Sequence, residues 1–274
     1  MRIIDTHLHL IYLERFSYPW LSNAPAINRN FHLEDYWAIA ERLGIEKAIH
    51  MEVDVAEKDI EAESAFVTGL GAPVVAAISN CRPESTGFAA HLERAAANPK
   101  IKGFRRILHE SPDELSQSDL FAENVRRLAG HGLSFDLCVL ARQLPVGQSL
   151  VDRCPDVQFV LDHCGVPDIA GDAFAPWRDA IAEIARRPNI AAKISGVIAY
   201  AGANPTIEAI RPYVEHVIEC FGWDRVVWGS DFPVCTTKAD LESWVKMTRE
   251  LIAGASESEK TLLLNANAER IYRL

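Results

Sequence analysis

The chain has 274 residues, of which 49% are hydrophobic, and its formal net charge at pH 7 is −10. This length and apolar content suffice for a large core, and the acidic balance argues against nucleic acid or an anionic membrane as a partner. No run of about 18 apolar residues predicts a membrane span, and no secretory leader is evident, so we expect a cytoplasmic protein. The six cysteines have no C-x-x-C spacing and are expected to be reduced thiols.

Eight short apolar runs, rich in β-branched residues, alternate with eight helix-like segments. The predicted strands are Arg2–His9, Lys47–Val53, Pro73–Ser79, Ile101–Leu108, Leu133–Leu140, Val157–His163, Ile190–Ser195 and Arg225–Asp231. The predicted helices are Leu33–Leu43, Ala56–Leu70, Gly87–Ala97, Asp119–His131, Leu144–Cys154, Phe174–Arg187, Thr206–Phe221 and Ala239–Ile252. Strict alternation of this kind predicts a parallel sheet buried by helices.

Eight such units in this length favour an α/β fold of the (β/α)8 TIM-barrel type, with residues 1–274 forming a single domain. The alternative is a doubly wound open sheet, which would need a Gly-rich phosphate loop after its first strand. The sequence there is Asp5-Thr6-His7-Leu8-His9, which is not such a loop. Residues 11–31 form a long, aromatic loop that we expect to cover the site, and residues 255–274 form a C-terminal helical segment.

Active sites of such barrels lie at the C-terminal ends of the strands, so polar residues at these positions are informative. His7 and His9 share one face of the first strand, about 6–7 Å apart, a spacing that suits a divalent metal or a substrate. Other strand ends carry Glu52, Arg105, Arg106, Asp136, Asp162, His163, Lys193 and Asp231. These groups could instead pair with one another as buried ion pairs, but that explains a single such residue better than seven strand ends.

The period-two alternation of strands assigns directions to several of these side chains. On the fourth strand Phe104 suits the helix-facing side, which leaves Arg105 to face the barrel. On the sixth strand Phe159 and His163 share a face, so we expect His163 to point inward and Asp162 to brace neighbouring backbone.

Five blocks of sequence resemble the amidohydrolase superfamily, specifically its second amidohydrolase branch. Its opening and final strand motifs resemble Asp5-Thr6-His7-Leu8-His9 and Trp228-Gly229-Ser230-Asp231-Phe232-Pro233. The remaining blocks resemble its sugar-lactone hydrolase subgroup, which is related to L-fuconolactone and L-rhamnonolactone hydrolases and to 2-pyrone-4,6-dicarboxylate lactonase. They are Ile101-Lys102-Gly103-Phe104-Arg105, Phe159-Val160-Leu161-Asp162-His163-Cys164-Gly165-Val166-Pro167 and Lys193-Ile194-Ser195-Gly196.

The resemblance implies a hydrolase that opens a small lactone ring with water, either a sugar-acid lactone such as an aldonolactone or a related carboxylated lactone. It implies Asp231 as the water-activating base, His163 as the group that polarises the carbonyl, and Arg105 as a ligand of substrate oxygen. It also implies that His7, His9 and Asp231 hold one divalent metal, most simply zinc, which turnover does not always require, or that the histidines contact only substrate. Further expected substrate contacts are Trp20, Glu52, Arg106, Asp136 and Lys193.

Many metal-dependent members carry a carboxylated lysine or a metal-binding histidine on the middle strands, where this chain has Arg105 and Asp136, so we expect no two-metal site.

Two other functions remain open. A metal-dependent decarboxylase of the same branch would usually place an acidic residue after Gly165, where this chain has Val166. A non-catalytic barrel that binds sugar acids would lack one of the catalytic candidates, all of which are present. The sequence leaves open which lactone is used and whether the chain forms a homodimer.

Overall fold

The computed structural model describes residues 2–171 and 173–274 and contains one eight-stranded parallel sheet. The strands pair in chain order and are β1 (Ile3–Leu8), β2 (Ile45–Met51), β3 (Val74–Asn80), β4 (Ile101–Ile107), β5 (Ser134–Cys138), β6 (Gln158–Leu161), β7 (Ile190–Ile194) and β8 (Val226–Trp228). The segment after β8 closes the sheet against β1. The Asp231 N–H donates to the His7 carbonyl (2.9 Å), and the His9 N–H donates to the Phe232 carbonyl (2.8 Å). The predicted single-domain (β/α)8 barrel is confirmed.

Helices follow the strands and cover the outside of the sheet. They are α1 (Leu33–Ala40), α2 (Ile60–Gly69), α3 (Phe88–Ala96), α4 (Asp119–Arg126), α5 (Leu128–His131), α6 (Leu144–Arg153), α7 (Phe174–Ile184), α8 (Val197–Tyr200), α9 (Ile207–Phe221), α10 (Leu241–Leu251), α11 (Glu257–Thr261) and α12 (Asn267–Tyr272). Short 3-10 helices span Pro19–Asn23, Pro25–Ile27, Glu41–Leu43, Glu57–Asp59, Asp113–Gln117, Ala141–Gln143, Asp162–Gly165, Trp223–Arg225 and Val234–Thr237, and Leu262–Ala266 is a π-helical turn. Within residues 2–171 and 173–274, none of the helices has the length and apolar character needed to cross a bilayer.

Capping residues in the sequence explain where several helices begin and end. The Ser118 side chain accepts a hydrogen bond from the Phe121 N–H at the start of α4, and the Asp240 side chain does the same for α10. Gly132 ends α5 in a left-handed conformation with φ 65°. These caps satisfy backbone groups that the helices themselves leave unpaired.

The two faces of the sheet form separate apolar layers. The barrel interior is small and aliphatic, and its strand residues are Ile4, Ile49, Met51, Ala76, Ile78, Val160, Ala191 and Val227. The opposite face packs against the helices, where the rings of Phe159 and Phe135 have their centroids 5.8 Å apart. The expectation that Phe159 faces the barrel is therefore wrong, because β6 alternates with the opposite phase and Val160 points inward. The six cysteines are free, as expected.

The C-terminal helices cover the end of the barrel at which the strands begin. The Asn267 side-chain amide donates to the Val226 carbonyl (2.8 Å). The Tyr272 hydroxyl reaches into the barrel and donates to the Asp136 carboxylate (3.0 Å). With this end covered, the open mouth lies at the C-terminal ends of the strands, where the polar residues gather.

Candidate active site

A cavity of about 170 Å³ opens at the C-terminal ends of the strands. Its polar lining consists of His9, Asp54, Arg105, His109, Glu110, His163, Tyr200 and Asp231, and the rest is Ile11, Trp20, Val53, Ile107, Cys138, Pro233 and Val234. The indole N–H of Trp20 donates to the Val53 carbonyl (2.8 Å), which holds loop 11–31 against one side of the cavity. The predicted residues that line the cavity are therefore His9, Trp20, Arg105, His163 and Asp231.

Asp231 is a buried carboxylate for which the described residues supply no ion pair with arginine or lysine. It follows β8 in a left-handed conformation (φ 57°), and its Oδ2 has no hydrogen-bond partner within residues 2–171 and 173–274. Its Oδ1 lies 3.7 Å from Nε2 of His7 and 3.6 Å from Nε2 of His9. Burial raises the pKa of Asp231 to about 6. A carboxylate with this pKa is suited to accept a proton near neutral pH.

The Nε2 atoms of His7 and His9 and a carboxylate oxygen of Asp231 form a set whose potential ligand atoms all lie within 4.8 Å of one another. His9 Nδ1 lies 3.0 Å from the Met51 carbonyl, which can only accept, so this nitrogen carries the proton and the Nε2 lone pair is free for a metal. His7 fits less well, because its Nε2 lies 3.2 Å from a guanidinium nitrogen of Arg105. These three residues fit one divalent cation. At His7, the Arg105 guanidinium would compete with that cation for the Nε2 lone pair.

A network of ion pairs lies beneath the cavity. Lys193 Nζ lies 2.6 Å from Asp136, 3.0 Å from Asp162 and 3.2 Å from Nδ1 of His7, and all four side chains are fully buried. Burial alone would lower the pKa of Lys193, but the two carboxylates outweigh it and raise that pKa. The pKa of Asp162 is held well below its usual value by Lys193 and His7, although burial opposes this. Lys193 and Asp162 are charged because they are paired.

Four residues expected to bind substrate do not line the cavity: Glu52, Arg106, Asp136 and Lys193. Glu52 accepts a hydrogen bond from Nε of Arg105 (2.6 Å) and another from the Asn80 amide (2.7 Å). Arg106 lies on the other face of β4, as the alternation requires, and donates to Glu84 (2.9 Å). The structure therefore places these side chains behind or beside the residues that face the cavity.

The end of β6 departs from the expectation for Asp162. The strand ends at Leu161, and both His163 and Cys164 adopt a left-handed conformation with φ 54°. Asp162 continues the inward face of the strand and lies between Lys193 and Arg105, so the expectation that it braces backbone is wrong. His163 does reach the cavity, but by means of the turn rather than the alternation. Its Nδ1 lies 2.9 Å from Oγ of Ser195, and burial lowers its pKa.

Several lining residues were not among the predicted site residues. Asp54 follows Glu52 by two positions at the end of β2, so the same strand-end argument would have found it. His109 follows β4, and its Nδ1 lies 3.1 Å from Sγ of Cys138. Tyr200 ends the short helix α8, and no pattern in the sequence points it toward the barrel mouth.

Comparisons with known proteins agree with the observed fold. A family model described as amidohydrolase matches residues 4–274. An uncharacterized protein from Sinorhizobium fredii is 32% identical, covering 99% of this chain and 98% of its own length. An L-fucono-1,5-lactonase from Burkholderia ambifaria is 30% identical, covering 84% of this chain and 80% of its own length. The crystal structure of an amidohydrolase from Burkholderia multivorans with bound zinc is 26% identical, with a TM-score of 0.91 and full coverage of both chains.

Proposed function

The chain is a lactone-hydrolysing enzyme of the amidohydrolase family, and we propose that its substrate is a neutral aldonolactone and that Asp231 is its general base. The observation that carries this proposal is Asp231 itself, a buried carboxylate at the cavity, one oxygen of which has no hydrogen-bond partner in the part of the chain that the structure describes. Burying an unpaired carboxylate costs folding free energy, so such groups are typical of functional sites. His163 and Arg105 line the same cavity and complete the set.

In the proposed reaction a water molecule attacks the lactone carbonyl carbon while Asp231 accepts a proton from it. Negative charge builds on the carbonyl oxygen, and His163 and Arg105 stabilise that charge by donating hydrogen bonds. When the tetrahedral intermediate collapses, the bond between the carbonyl carbon and the ring oxygen breaks. The proton held by Asp231 passes to the departing oxygen, so the product is the open hydroxy acid and the base is restored.

We also propose that His7, His9 and Asp231 hold one divalent cation, zinc in the first place. The charge balance supports this, since the linked buried groups hold more carboxylates than cations: Glu52, Asp136, Asp162 and Asp231 against Arg105 and Lys193. One divalent cation would balance this excess of negative charge. When bound, such an ion supplies Lewis-acid polarisation of a carbonyl or of water.

The charge of the lining supports a neutral substrate. Asp54 and Glu110 add two carboxylates to that of Asp231, whereas Arg105 is the sole arginine or lysine in the lining that the structure describes. The single cation of the described lining is therefore outnumbered by carboxylates. A carboxylated lactone would meet like charges, whereas the hydroxyl groups of an aldonolactone can donate to these carboxylates.

A metal-dependent decarboxylase remains the second candidate, because it would use the same metal ligands. It would need a substrate that carries a carboxylate, and the lining disfavours this for the reason just given. Val166 after Gly165 also departs from the acidic residue that the sequence comparison associates with decarboxylases.

The test is a panel of aldono-1,4- and aldono-1,5-lactones measured beside a carboxylated lactone and a benzoic-acid-type carboxylate. Acid release at constant pH reports ring opening, and carbon dioxide release reports decarboxylation. We expect at least one aldonolactone to exceed the carboxylated lactone about 100-fold in kcat/KM, because like-charge contacts cost several kcal/mol. Asp54→Asn should narrow this preference. A faster carboxylated lactone would contradict the substrate assignment, and carbon dioxide release would contradict the reaction.

A further inference from the structure

We propose that Ser195 is a positioning residue whose hydroxyl donates to Nδ1 of His163 and thereby keeps the ring proton on Nε2. The sequence block Lys193-Ile194-Ser195-Gly196 stood out in the sequence, but the reaction described above uses neither Ser195 nor Gly196. The role of the ring as a hydrogen-bond donor to the substrate carbonyl rests on the proposed function, whereas the position of its proton does not.

The Ser195 hydroxyl has few possible partners, and this determines which atom donates in its hydrogen bond with His163. Ser195 directly follows β7 and is fully buried, and its Oγ lies 2.9 Å from Nδ1 of His163. Within residues 2–171 and 173–274, its hydroxyl makes no second hydrogen bond. A hydroxyl has one proton to donate, and Nδ1 is the acceptor within reach. If Nδ1 carried the proton instead, the buried hydroxyl proton would be left without an acceptor.

The ring itself is held in place by backbone on two sides. Gly196 adopts φ 65°, and a Cβ atom there would lie 2.4 Å from Nδ1 of His163, so only glycine allows this close contact. His163 and Cys164 lie in the left-handed turn after β6, and the Trp177 indole N–H donates to the Cys164 carbonyl (2.8 Å). The ring therefore has little freedom to turn away from Ser195.

A neutral imidazole that accepts at Nδ1 must carry its proton on Nε2. His163 is then a hydrogen-bond donor and cannot act as a base through Nε2. Asp231 lines the same cavity, and no group of the described residues donates a proton to its Oδ2. His163 therefore donates a hydrogen bond, whereas Asp231 accepts a proton. Ser195 determines the role of His163.

The test is ¹⁵N NMR of protein labelled at histidine, with the His163 signals assigned by their loss in His163→Gln. At pH 8 we expect the wild-type ring to be neutral with its proton on Nε2. In Ser195→Ala the signals should shift toward a mixture of both tautomers. The kcat on the best lactone should fall about tenfold while KM changes less than about threefold. Ser195→Thr retains the hydroxyl and should restore both readouts.

Ser79→Ala is the matched control, because it removes another buried serine hydroxyl near a strand end, one that bonds to Ser64 of α2. It should leave the His163 signals and the kinetics unchanged. A wild-type ring with its proton on Nδ1 would overturn the proposal, and so would an unchanged tautomer in Ser195→Ala. The wild-type spectrum decides the matter even if that variant does not fold. If the proton is on Nε2 but no lactone is hydrolysed, the proposed function fails and the role of Ser195 in setting the tautomer stands.

Discussion

Asp231 and Asp162 are both fully buried carboxylates just beyond the end of a strand, and both lie within 4 Å of His7. Asp162 lies between two cations, at 3.0 Å from Lys193 and 3.4 Å from Arg105. Within the described residues, the ionisable groups that lie within 4 Å of the Asp231 carboxylate are the imidazoles of His7 and His9. The pKa values accordingly diverge, since that of Asp162 is held well below its usual value and burial raises that of Asp231 to about 6. A strand-end position is thus shared by a carboxylate paired with cations and by the one that we propose as the base, and the partners distinguish them.

The sharpest test of this contrast is Asp231→Asn, which keeps the shape of the side chain and removes its basicity. We expect kcat/KM to fall about 10²–10⁴-fold, the usual contribution of a general base. In chelator-treated protein the melting temperature should be unchanged or slightly higher, because Asp231 has no arginine or lysine partner to lose among the described residues. Steady-state kinetics and thermal unfolding measure both. More than a tenth of wild-type activity in this variant would show that Asp231 is not the base.

A substitution in the network of ion pairs beneath the cavity should change the stability of the fold more than the chemical step. Lys193→Met leaves Asp136 and Asp162 without their shared cation, and we expect the free energy of unfolding to fall by about 3–5 kcal/mol. Urea denaturation measures this loss. Lys102→Met is the control, because among the described residues the partly exposed Lys102 ammonium donates to a single backbone carbonyl, and its loss should cost about 1 kcal/mol or less. A loss below about 1 kcal/mol in Lys193→Met would show that the network does not stabilise the fold.

The pH dependence of activity should follow Asp231. A base must be ionised to accept a proton, so in chelator-treated enzyme kcat/KM should be low at pH 5 and rise through pH about 6. Added zinc favours the anionic form and should move this midpoint down by about one pH unit or more. Paired pH profiles with chelator and with zinc measure the shift. A flat metal-free profile between pH 5 and 7 would contradict the assignment of the base, and an unmoved midpoint would contradict the ligand set.

The smallest effect on activity is expected at Arg106, whose side chain lies on the opposite face of β4 from that of its neighbour Arg105. Arg106→Gln should keep activity within about twofold and change stability by about 1 kcal/mol or less, because its pair with Glu84 lies outside the cavity. Arg105→Gln should lose about 10²-fold or more in kcat/KM. Parallel kinetics of the two variants check the contrast. A tenfold loss in Arg106→Gln would mean that this side chain reaches the substrate.

Much of the architecture could be predicted because it depends on local patterns. Each predicted strand overlaps an observed one, and the alternation on β4 correctly assigned Phe104 to the helices and Arg105 to the barrel. The same rule failed on β6, because that strand is only four residues long and the chain turns left-handed at His163. Alternation holds only while the backbone stays extended.

The sequence by itself determined the barrel, the end of it that holds the site, and the set of polar residues gathered there. Only the tertiary structure decided which of these charges neutralise one another and which face the cavity. Lys193 meets Asp136 across 57 residues of chain, and it does so through the registers of β5, β6 and β7. Local sequence cannot encode such a distance, because it depends on how strands pair and how the barrel closes. That closure leaves Asp162 between Lys193 and Arg105, whereas no arginine or lysine of the described residues pairs with Asp231.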